Sequence, residues 1–292
     1  MKFKSLWKGS AMMVLSRNSR ERLHDFPLHF ILVVLGFLTF YPLIFTIITS
    51  FKDNEQFYKR FWSLPSPFIF ENYVDAFKSI LPYLGNSVYI SAVSIIILLL
   101  TTSMSAYAFA RLRFPAKEQI FMAILALLMI PGLLELIPQF ILLKNFGLLD
   151  RYTGIILGYI TGSQAFSIFI IRSFFSSQPE ELFEAARIDG ANEFRAYWKI
   201  ALPLVKPVLG SVAIVTLLGI WNDYLWPLIV TSDINKYTIA LGLIKYKSLF
   251  SSTILYGPLF AGYVVTALPL IILFMCLMNY FLEGLTTGAI KM

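Results

Sequence analysis

Six long apolar segments restrict what this chain can fold into. A helix needs about 20 mostly apolar residues to cross the hydrocarbon core of a membrane. The segments that reach this length are spread along the whole chain: 28–49, 87–110, 120–142, 153–171, 208–230 and 256–281. Only 14% of the 292 residues are charged, whereas soluble domains carry about 25%. We therefore expect an all-α membrane protein with six transmembrane helices in one bundle.

Prolines interrupt the third apolar segment, which contains the sequence PGLLELIP from Pro131 to Pro138. Proline lacks a backbone donor and clashes with the preceding turn, so it ends or kinks a helix. The third transmembrane helix is therefore predicted to be broken. Glu135 lies inside this break, and the residues alone leave open whether it lines a pathway or lies at the water interface.

The net charge of +7 follows the loops between the apolar segments. With the N-terminus placed in the cytoplasm, 15 of the 24 Lys and Arg residues fall on the cytoplasmic side. Cytoplasmic loops of membrane proteins are enriched in these residues, so this bias explains the charge better than nucleic-acid binding does. Both termini are predicted to be cytoplasmic, with residues 1–27 forming a basic tail rather than a cleavable signal peptide.

Groups that perform catalysis or bind metals are scarce in this sequence. The two histidines, His24 and His29, have no partner at metal-ligand spacing, and Cys276 is the single cysteine. The sequence has no G-x-x-x-x-G-K-[ST] loop, so we expect neither a cofactor nor an enzymatic activity in this chain. Glu135 and Asp223 are the only acidic residues within the apolar segments. That is few for an ion-coupled carrier or channel, which remains the alternative.

Aromatic and polar residues occur together in the fifth segment, in the sequence GIWNDYLWP. Aromatic rings that stack on C–H faces, next to amide and carboxylate groups that bind hydroxyls, suit a sugar. Tryptophan and tyrosine also anchor helices at membrane interfaces, and the residues leave both interpretations open. The candidate substrate-pathway residues are Trp221, Asn222, Asp223 and Tyr224.

The polar stretch at residues 177–207, called here the 177–207 loop, predicts two short helices joined at a glycine. Ser177 is placed to cap the first helix, and Gly190 to end it in a left-handed conformation. Asn192 is placed to cap the second helix. The two helices are expected to lie in the cytoplasm.

An aromatic ridge is predicted on the second of these helices. Four apolar residues fall on one face at helical spacing: Phe194, Tyr197, Trp198 and Ala201. Such a ridge beside glutamate and arginine side chains suits docking into a groove of a partner protein. A helix pair that packs only on its own bundle is equally compatible with the residues.

The sequence EAARIDGANEFRAYWKIALPLVKP closely resembles the EAA loop of permeases from binding-protein-dependent ABC importers. Other segments of the chain resemble permeases of the maltose-type branch, which takes up carbohydrates. These segments are NSVYIS, SAYAFARLRFPAKE, IPGLLELIPQFILLKNFGLLD, WNDYLWPLIV and GLTTGAIKM. The resemblance implies the type I importer permease fold. It also implies three divisions of the chain: an N-terminal tail at 1–27, a permease domain at 28–283 and a C-terminal tail at 284–292.

This resemblance further implies a subunit of the bacterial inner membrane that imports a sugar, expected to be an oligosaccharide, by alternating access. ATP and Mg²⁺ would bind to a dimer of partner ATPase subunits. The other implied partners are a second related permease and an extracytoplasmic sugar-binding protein. Carried over by position, the residues that meet the ATPase are Glu184, Ala185, Ala186, Asp189, Gly190 and Phe194.

Two more segments receive roles through the resemblance. In the maltose-type second permease the C-terminal tail reaches between the two ATPase subunits, and residues 284–292 resemble that tail. The outer loop at 231–255 matches the stretch that enters the cleft of the binding protein in that family. The implied contacts of the tail are Gly284, Gly288 and Lys291, although the final Met292 departs from the usual glycine.

Overall fold

The computed structural model describes residues 19–249 and 255–289, with side chains described at 27–248 and 255–275. The regular structure within these ranges is helical, without a strand, which confirms the all-α prediction. The helices are, in chain order, α1 (Ser19–Ser50), α2 (Asn54–Lys59), α3 (Glu71–Arg111), α4 (Lys117–Leu127), α5 (Gly132–Asn145), α6 (Tyr152–Ser176), α7 (Glu181–Ile188), α8 (Glu193–Leu204), α9 (Lys206–Asn222), α10 (Leu225–Val230), α11 (Ile239–Leu249) and α12 (Tyr256–Ala289).

Among the described helices, α1, α3, α6 and α12 are each long and apolar enough to cross a membrane without interruption. Two bent pairs of helices pass the same test of length and composition when each pair is taken together: α4 and α5 meet at 100°, and α8 and α9 at 72°. Counting each bent pair as one span gives six. The break predicted in the third segment is present, since Pro131 has an extended backbone and α5 begins at Gly132.

The predicted fifth segment, 208–230, is not one continuous helix as expected. α9 ends at Asn222, and Asp223 has an extended backbone before α10 begins at Leu225. The Asp223 carboxylate accepts hydrogen bonds from the backbone N–H groups of Leu225 at 2.9 Å and Trp226 at 3.4 Å. An aspartate that bonds to the backbone ahead of it competes with helical hydrogen bonding, which explains the break.

Part of each predicted tail is helical and continuous with the neighbouring span. α1 starts at Ser19, so residues 19–27 lead directly into the first span. α12 runs unbroken to Ala289, beyond the expected end at 281, so Gly284 and Gly288 lie within this helix. Apolar composition sets where a helix leaves the lipid, not where its backbone hydrogen bonds end. The predictions that lie outside the described residues are those on 1–18, 250–254 and 290–292, the last of which includes Lys291.

The centre of the bundle is formed by α3 and α6, which run parallel to each other. At one end the Tyr152 hydroxyl of α6 donates to the Asn86 side chain of α3 at 2.8 Å. At the other end, Arg111 of α3 donates to the backbone carbonyl of Phe175 of α6 at 2.6 Å. This second end also carries the 177–207 loop, and it is called the loop end below.

The first helix, α1, packs at the edge of this bundle, against α12. No residue in the most apolar stretch of α1 is buried inside the protein. Large side chains such as Val33, Phe37 and Phe40 are therefore exposed, and an apolar solvent such as lipid must cover them.

Candidate functional site

A cavity of about 1090 Å³, called here the large cavity, opens beside the bent pair α4 and α5. Its remaining walls come from α3, α6 and α10. A volume of this order lies at the upper end of the range, about 300–1,000 Å³, that small-molecule sites occupy. Polar side chains interrupt a largely apolar lining, and they are Ser105, Glu135, Gln139, Tyr159, Thr161, Gln164 and Asp223.

The broken third span supplies Glu135 and Gln139 to the large cavity, one helical turn apart. The Gln139 amide donates to the Glu135 carboxylate at 3.2 Å. Glu135 lies in the first turn of α5, where the positive end of the helix dipole favours a carboxylate. The break thus places Glu135 on the wall of the large cavity, and its role in a pathway stays a prediction.

Asp223 reaches the large cavity from the break between α9 and α10. Its carboxylate lies next to the hydroxyl of Tyr159 on α6. The indole of Trp226 also lines the cavity, and its N–H donates to the carbonyl of Ile155 at 3.2 Å. A Cβ atom at Gly158 would lie 2.3 Å from this indole, so only glycine leaves room for the ring.

The other candidate pathway residues lie elsewhere. Trp221, Asn222 and Tyr224 line a separate cavity of about 370 Å³, the small cavity, between α9, α11 and α12. The helix ends at Asn222 and the backbone of Asp223 is extended, so Asp223 points away from its three neighbours in sequence. The structure thus brings Asp223 together with Glu135 in the large cavity and the other three residues together in the small cavity.

Five polar residues of the large cavity were not singled out from the sequence: Ser105, Gln139, Tyr159, Thr161 and Gln164. Gln139 follows Glu135 by four residues, so helical spacing gives a signal that both share a face. Tyr159 and Gln164 lie within an apolar segment whose composition does not reveal which face meets the cavity. Within the described residues, no group of three or more His, Cys, Asp or Glu residues is arranged to hold a metal ion.

The 177–207 loop forms α7 and α8 around a tight turn. Gly190 has a φ of +78°, which confirms the predicted left-handed end of the first helix. The Asn192 side chain accepts a hydrogen bond from the Arg195 backbone N–H at 2.8 Å, which confirms the predicted cap of the second helix.

The predicted helix cap at Ser177 is wrong. α6 continues to Ser176, five residues past the predicted end of the fourth segment at 171, and Ser177 terminates it. The Ser177 hydroxyl donates to the carbonyl of Phe174 at 3.0 Å. α7 instead starts after Glu180, without a side-chain cap.

A π-helical turn at Tyr197–Ala201 divides the aromatic ridge expected on α8. Tyr197 and Ala201 are buried, and the Tyr197 hydroxyl is hydrogen-bonded to Ser103 of α3 at 2.8 Å. Phe194 and Trp198 are 60% and 46% exposed, with ring centroids 6.4 Å apart. The prediction of one shared face is therefore wrong, because the four residues form two pairs on different faces, each pair spaced by one turn.

The candidate ATPase contacts form part of an exposed surface at the loop end. Among the six residues, Ala186 is buried, and the other five are exposed: Glu184, Ala185, Asp189, Gly190 and Phe194. Ile188 lies between them and is 86% exposed. Phe194 and Trp198 add further exposed apolar side chains at the loop end, and a group of such side chains is typical of a surface that a partner covers.

One buried arginine ties the 177–207 loop to the bundle. The Arg111 side chain is 7% exposed and bonds to the Glu180 carboxylate at 2.5 Å. It also donates to the backbone carbonyls of Phe175 and Gln178, each at 2.6 Å. Its guanidinium lies 4.3 Å from the centre of the Phe183 ring.

A second arginine connects the two helices of the loop. Arg187 bonds to Glu180 and to Glu193, each at 3.3 Å. These two carboxylates raise the pKa of Arg187 above its ordinary value. Glu193 also accepts a hydrogen bond from the Tyr107 hydroxyl of α3 at 2.9 Å. The loop and α3 therefore share one network of charged hydrogen bonds.

At the end opposite the loop end, Asp150 holds the start of the predicted outer loop 231–255. Its carboxylate accepts hydrogen bonds from the backbone N–H groups of Ser232 at 2.5 Å and Asp233 at 3.1 Å. The Thr231 hydroxyl donates to it at 3.2 Å. These bonds, led by that from Ser232, lower the pKa of Asp150 below its ordinary value of 3.8.

Comparison with known proteins extends this picture. The family described as "Binding-protein-dependent transport system inner membrane component" matches residues 100–286. The chain is 36% identical to the diacetylchitobiose uptake system permease protein NgcG of Streptomyces coelicolor, over 84% of this chain and 82% of that protein. It is 35% identical to the arabinooligosaccharides transport system permease protein AraQ of Halalkalibacterium halodurans, over 88% and 93% of the two chains.

A further relative is the sn-glycerol-3-phosphate transport system permease protein UgpE of Yersinia pestis. The identity is 31%, over 89% of this chain and 95% of that protein. Among solved structures, a bacterial ABC transporter involved in the import of the acidic polysaccharide alginate matches with a TM-score of 0.81. This match covers 91% of this chain and 99% of that chain at 22% identity, and it shows the same fold.

Proposed function

Because the chain belongs to the family of binding-protein-dependent transport system inner-membrane components, we propose that it forms one wall of the pathway through which an importer moves an oligosaccharide into the cytoplasm. The chain is a permease subunit and not an enzyme. The observation that carries the proposal is that one bundle combines the large cavity with an exposed, partly apolar surface at the loop end. This surface, formed by Ile188, Phe194, Trp198 and the exposed residues around Gly190, is called here the docking surface.

The oligosaccharide is supported by chemistry and by relatives. The uncharged polar groups of the large cavity, such as Gln139, Thr161 and Gln164, are donors and acceptors suited to sugar hydroxyls. Two of the relatives are named for diacetylchitobiose and for arabinooligosaccharides. The ion-coupled alternative finds no support among these proteins.

ATP and Mg²⁺ act on the partner ATPase subunits in this proposal, and the 177–207 loop receives the motion. Ile188, Phe194 and Trp198 present apolar surface that the ATPase covers. Arg111 binds this loop to the ends of both α3 and α6. A displacement of α7 is therefore passed to the two central helices, which both border the large cavity.

Docking of the ATPase at the 177–207 loop fixes the orientation of the chain in the membrane, and the remaining assignments follow from it. The loop end lies in the cytoplasm together with both termini, and Gly284, Gly288 and Lys291 of the C-terminal tail contact the ATPase subunits. Asp150 and the loop at 231–255 then lie outside, where a sugar-binding protein docks. A second, related permease supplies the other wall of the pathway.

Cysteine crosslinking tests this proposal directly. In a Cys276→Ser background, Ile188→Cys places a single exposed thiol on the docking surface, and Leu64→Cys places one at the opposite end as a matched control. We expect a bifunctional thiol–amine reagent to join the Ile188→Cys chain to an ATP-hydrolysing subunit in native membranes, with a yield that changes when ATP is added. Capture of the ATPase by Leu64→Cys alone, or by neither variant in any nucleotide state, would contradict the docking assignment.

A further inference from the structure

The large cavity carries ionisable charge of one sign. Glu135 and Asp223 contribute carboxylates from two different helices. Among the described residues that line the cavity, none is a lysine, arginine or histidine. The two carboxylates also lack a basic partner among the described hydrogen bonds, because Glu135 accepts from Gln139 and Asp223 from backbone N–H groups.

Two of the cations on helices that border the large cavity, Arg172 of α6 and Lys117 of α4, are held elsewhere. Arg172, near the end of α6, bonds to Glu118 at 2.8 Å and lies 3.7 Å from the centre of the Phe121 ring. Lys117 donates to the backbone carbonyl of Leu112 at 3.1 Å. Both side chains are thus occupied at the loop end and do not neutralise the carboxylates of the cavity.

Such a site discriminates by charge. Low-dielectric walls strengthen electrostatic interactions inside a cleft, and charges of one sign concentrate ions of the other sign there. An anionic sugar entering the large cavity would lose its hydration and meet two carboxylates without a compensating cation. An uncharged sugar loses less hydration, and it can bond to both the carboxylates and the neighbouring amide and hydroxyl groups.

We propose that Glu135 and Asp223 make this wall of the pathway selective against anionic sugars, so that the transported oligosaccharide is uncharged rather than a uronate or a phosphate ester. This inference rests on the proposed function, because it requires the large cavity to lie on the transport route. Family membership does not decide the point, since the relatives and the solved structures include importers named for sn-glycerol-3-phosphate and for acidic alginate.

The charge of the cavity can be measured by thiol modification, without knowing the sugar. Thr161 is exposed and lines the large cavity, so Thr161→Cys in the Cys276→Ser background places one thiol there in the purified transporter complex. The probes are a cationic trimethylammonium-ethyl and an anionic sulfonatoethyl methanethiosulfonate. We expect the cationic reagent to react faster by about tenfold, relative to the ratio of the two rates on a free thiol in solution, because focusing raises counter-ion concentrations by ~10-fold or more.

Neutralising variants identify the source of the selectivity. Glu135→Gln keeps the side-chain shape, and Asp223→Asn keeps an acceptor for the start of α10. Each substitution is expected to bring the ratio of cationic to anionic reaction rates closer to that of a free thiol. The double variant, which carries both substitutions, is expected to come closest. Glu71→Gln removes an exposed carboxylate outside the cavity and is expected to leave the ratio unchanged.

The outcomes separate the inference from the proposed function. A wild-type ratio equal to that of a free thiol, or a ratio unchanged in Glu135→Gln and Asp223→Asn, overturns the charge selectivity. Import of an oligouronate by the reconstituted complex as fast as an uncharged oligosaccharide of equal length also overturns it. A thiol that resists both charged reagents and uncharged methyl methanethiosulfonate in every nucleotide state shows that the large cavity is not a wet pathway, and the proposed function itself then fails.

Discussion

The guanidinium of Arg111 lies 4.3 Å above the Phe183 ring, and this contact joins the last turn of α3 to the buried side of α7. The same guanidinium bonds to two backbone carbonyls, those of Phe175 and Gln178, where α6 ends. A single buried side chain therefore touches two spans and the 177–207 loop. Because a planar fork with several donors fixes direction as well as distance, these elements are held as one unit.

Arg111→Lys is expected to weaken coupling between ATP hydrolysis and transport. Lysine keeps the charge but cannot form the forked set of bonds, and hydrogen bonds to charged groups contribute about 1.5–3 kcal/mol each. We expect the sugar moved per ATP hydrolysed to fall by about tenfold, equivalent to ~1.4 kcal/mol. Transport and ATPase rates in proteoliposomes provide the measurement.

The matched control for this prediction is Arg113→Lys, two residues away and exposed. It should transport as the wild type does. A normal ratio of transport to hydrolysis in Arg111→Lys would show that the contact with Phe183 does not carry the motion.

Substitutions at Gly190 test whether the left-handed backbone of this turn is needed for coupling. Its φ of +78° suits glycine, and its N–H donates to the carbonyl of Arg187 at 3.0 Å. Proline fixes φ near −65° and removes the donor, so Gly190→Pro should insert into the membrane without stimulating the ATPase. Gly190→Ala incurs roughly 1–2 kcal/mol of left-handed strain and should be intermediate. Gly190→Asn tolerates this conformation better and should stay nearest to wild type; equal ATPase stimulation in all three variants would contradict a role for this turn.

The predictions for the loop succeeded where a residue acts on its own backbone. Gly190 and Asn192 have conformations that follow from their side chains, and both were identified from the sequence. Ser177 has a side chain that can cap a helix start, but α6 extends as far as this residue. Its hydroxyl instead donates to the carbonyl of Phe174 at the end of α6. The ends of helices depend on tertiary packing, which residue type alone does not report.

Only some residues of the large cavity could be predicted from the sequence. Asp223 was identified because a carboxylate in an apolar segment is conspicuous, whereas the break that turns it away from Trp221 was missed. Gln164 and Tyr159 join the large cavity through the rotation of α6 about its axis. That rotation is set by contacts with α3 that no local pattern contains.

Asp150 is expected to hold the outer loop throughout the neutral pH range. Its folded pKa lies below the ordinary value of 3.8, so the bonds to Ser232 and Asp233 persist above that value and are lost only as the pH falls through the lowered pKa. Hydrogen exchange of amides 231–237 should therefore be unaffected by this group between about pH 5 and 8.

Asp150→Ala removes the Oδ1 atom that accepts these bonds, so the amides should exchange several-fold faster, and the binding protein should dissociate faster from the complex. Glu71→Ala removes a carboxylate at the same end without touching the loop and serves as the control. Unchanged exchange in Asp150→Ala would exclude this anchoring role.

Gly158 and Gly162 provide a paired test of how tightly the large cavity is built. Both lie on α6 and line the cavity, one turn apart. A Cβ atom at Gly158 would come within 2.3 Å of the Trp226 indole, whereas a Cβ at Gly162 would meet nothing within 4 Å. Trp226 is buried and hydrogen-bonded to Ile155, so it has little room to move.

Gly158→Ala should therefore destabilise the protein by about 1–3 kcal/mol, as overpacking does elsewhere. Gly162→Ala gains helix propensity without a clash and should be neutral or stabilising by up to ~1 kcal/mol. Thermal denaturation of the two variants in the same detergent, followed by Trp fluorescence, measures the difference. Because both substitutions add the same methyl group to the same helix, equal melting temperatures would mean that Trp226 does not pack against α6 in the membrane protein.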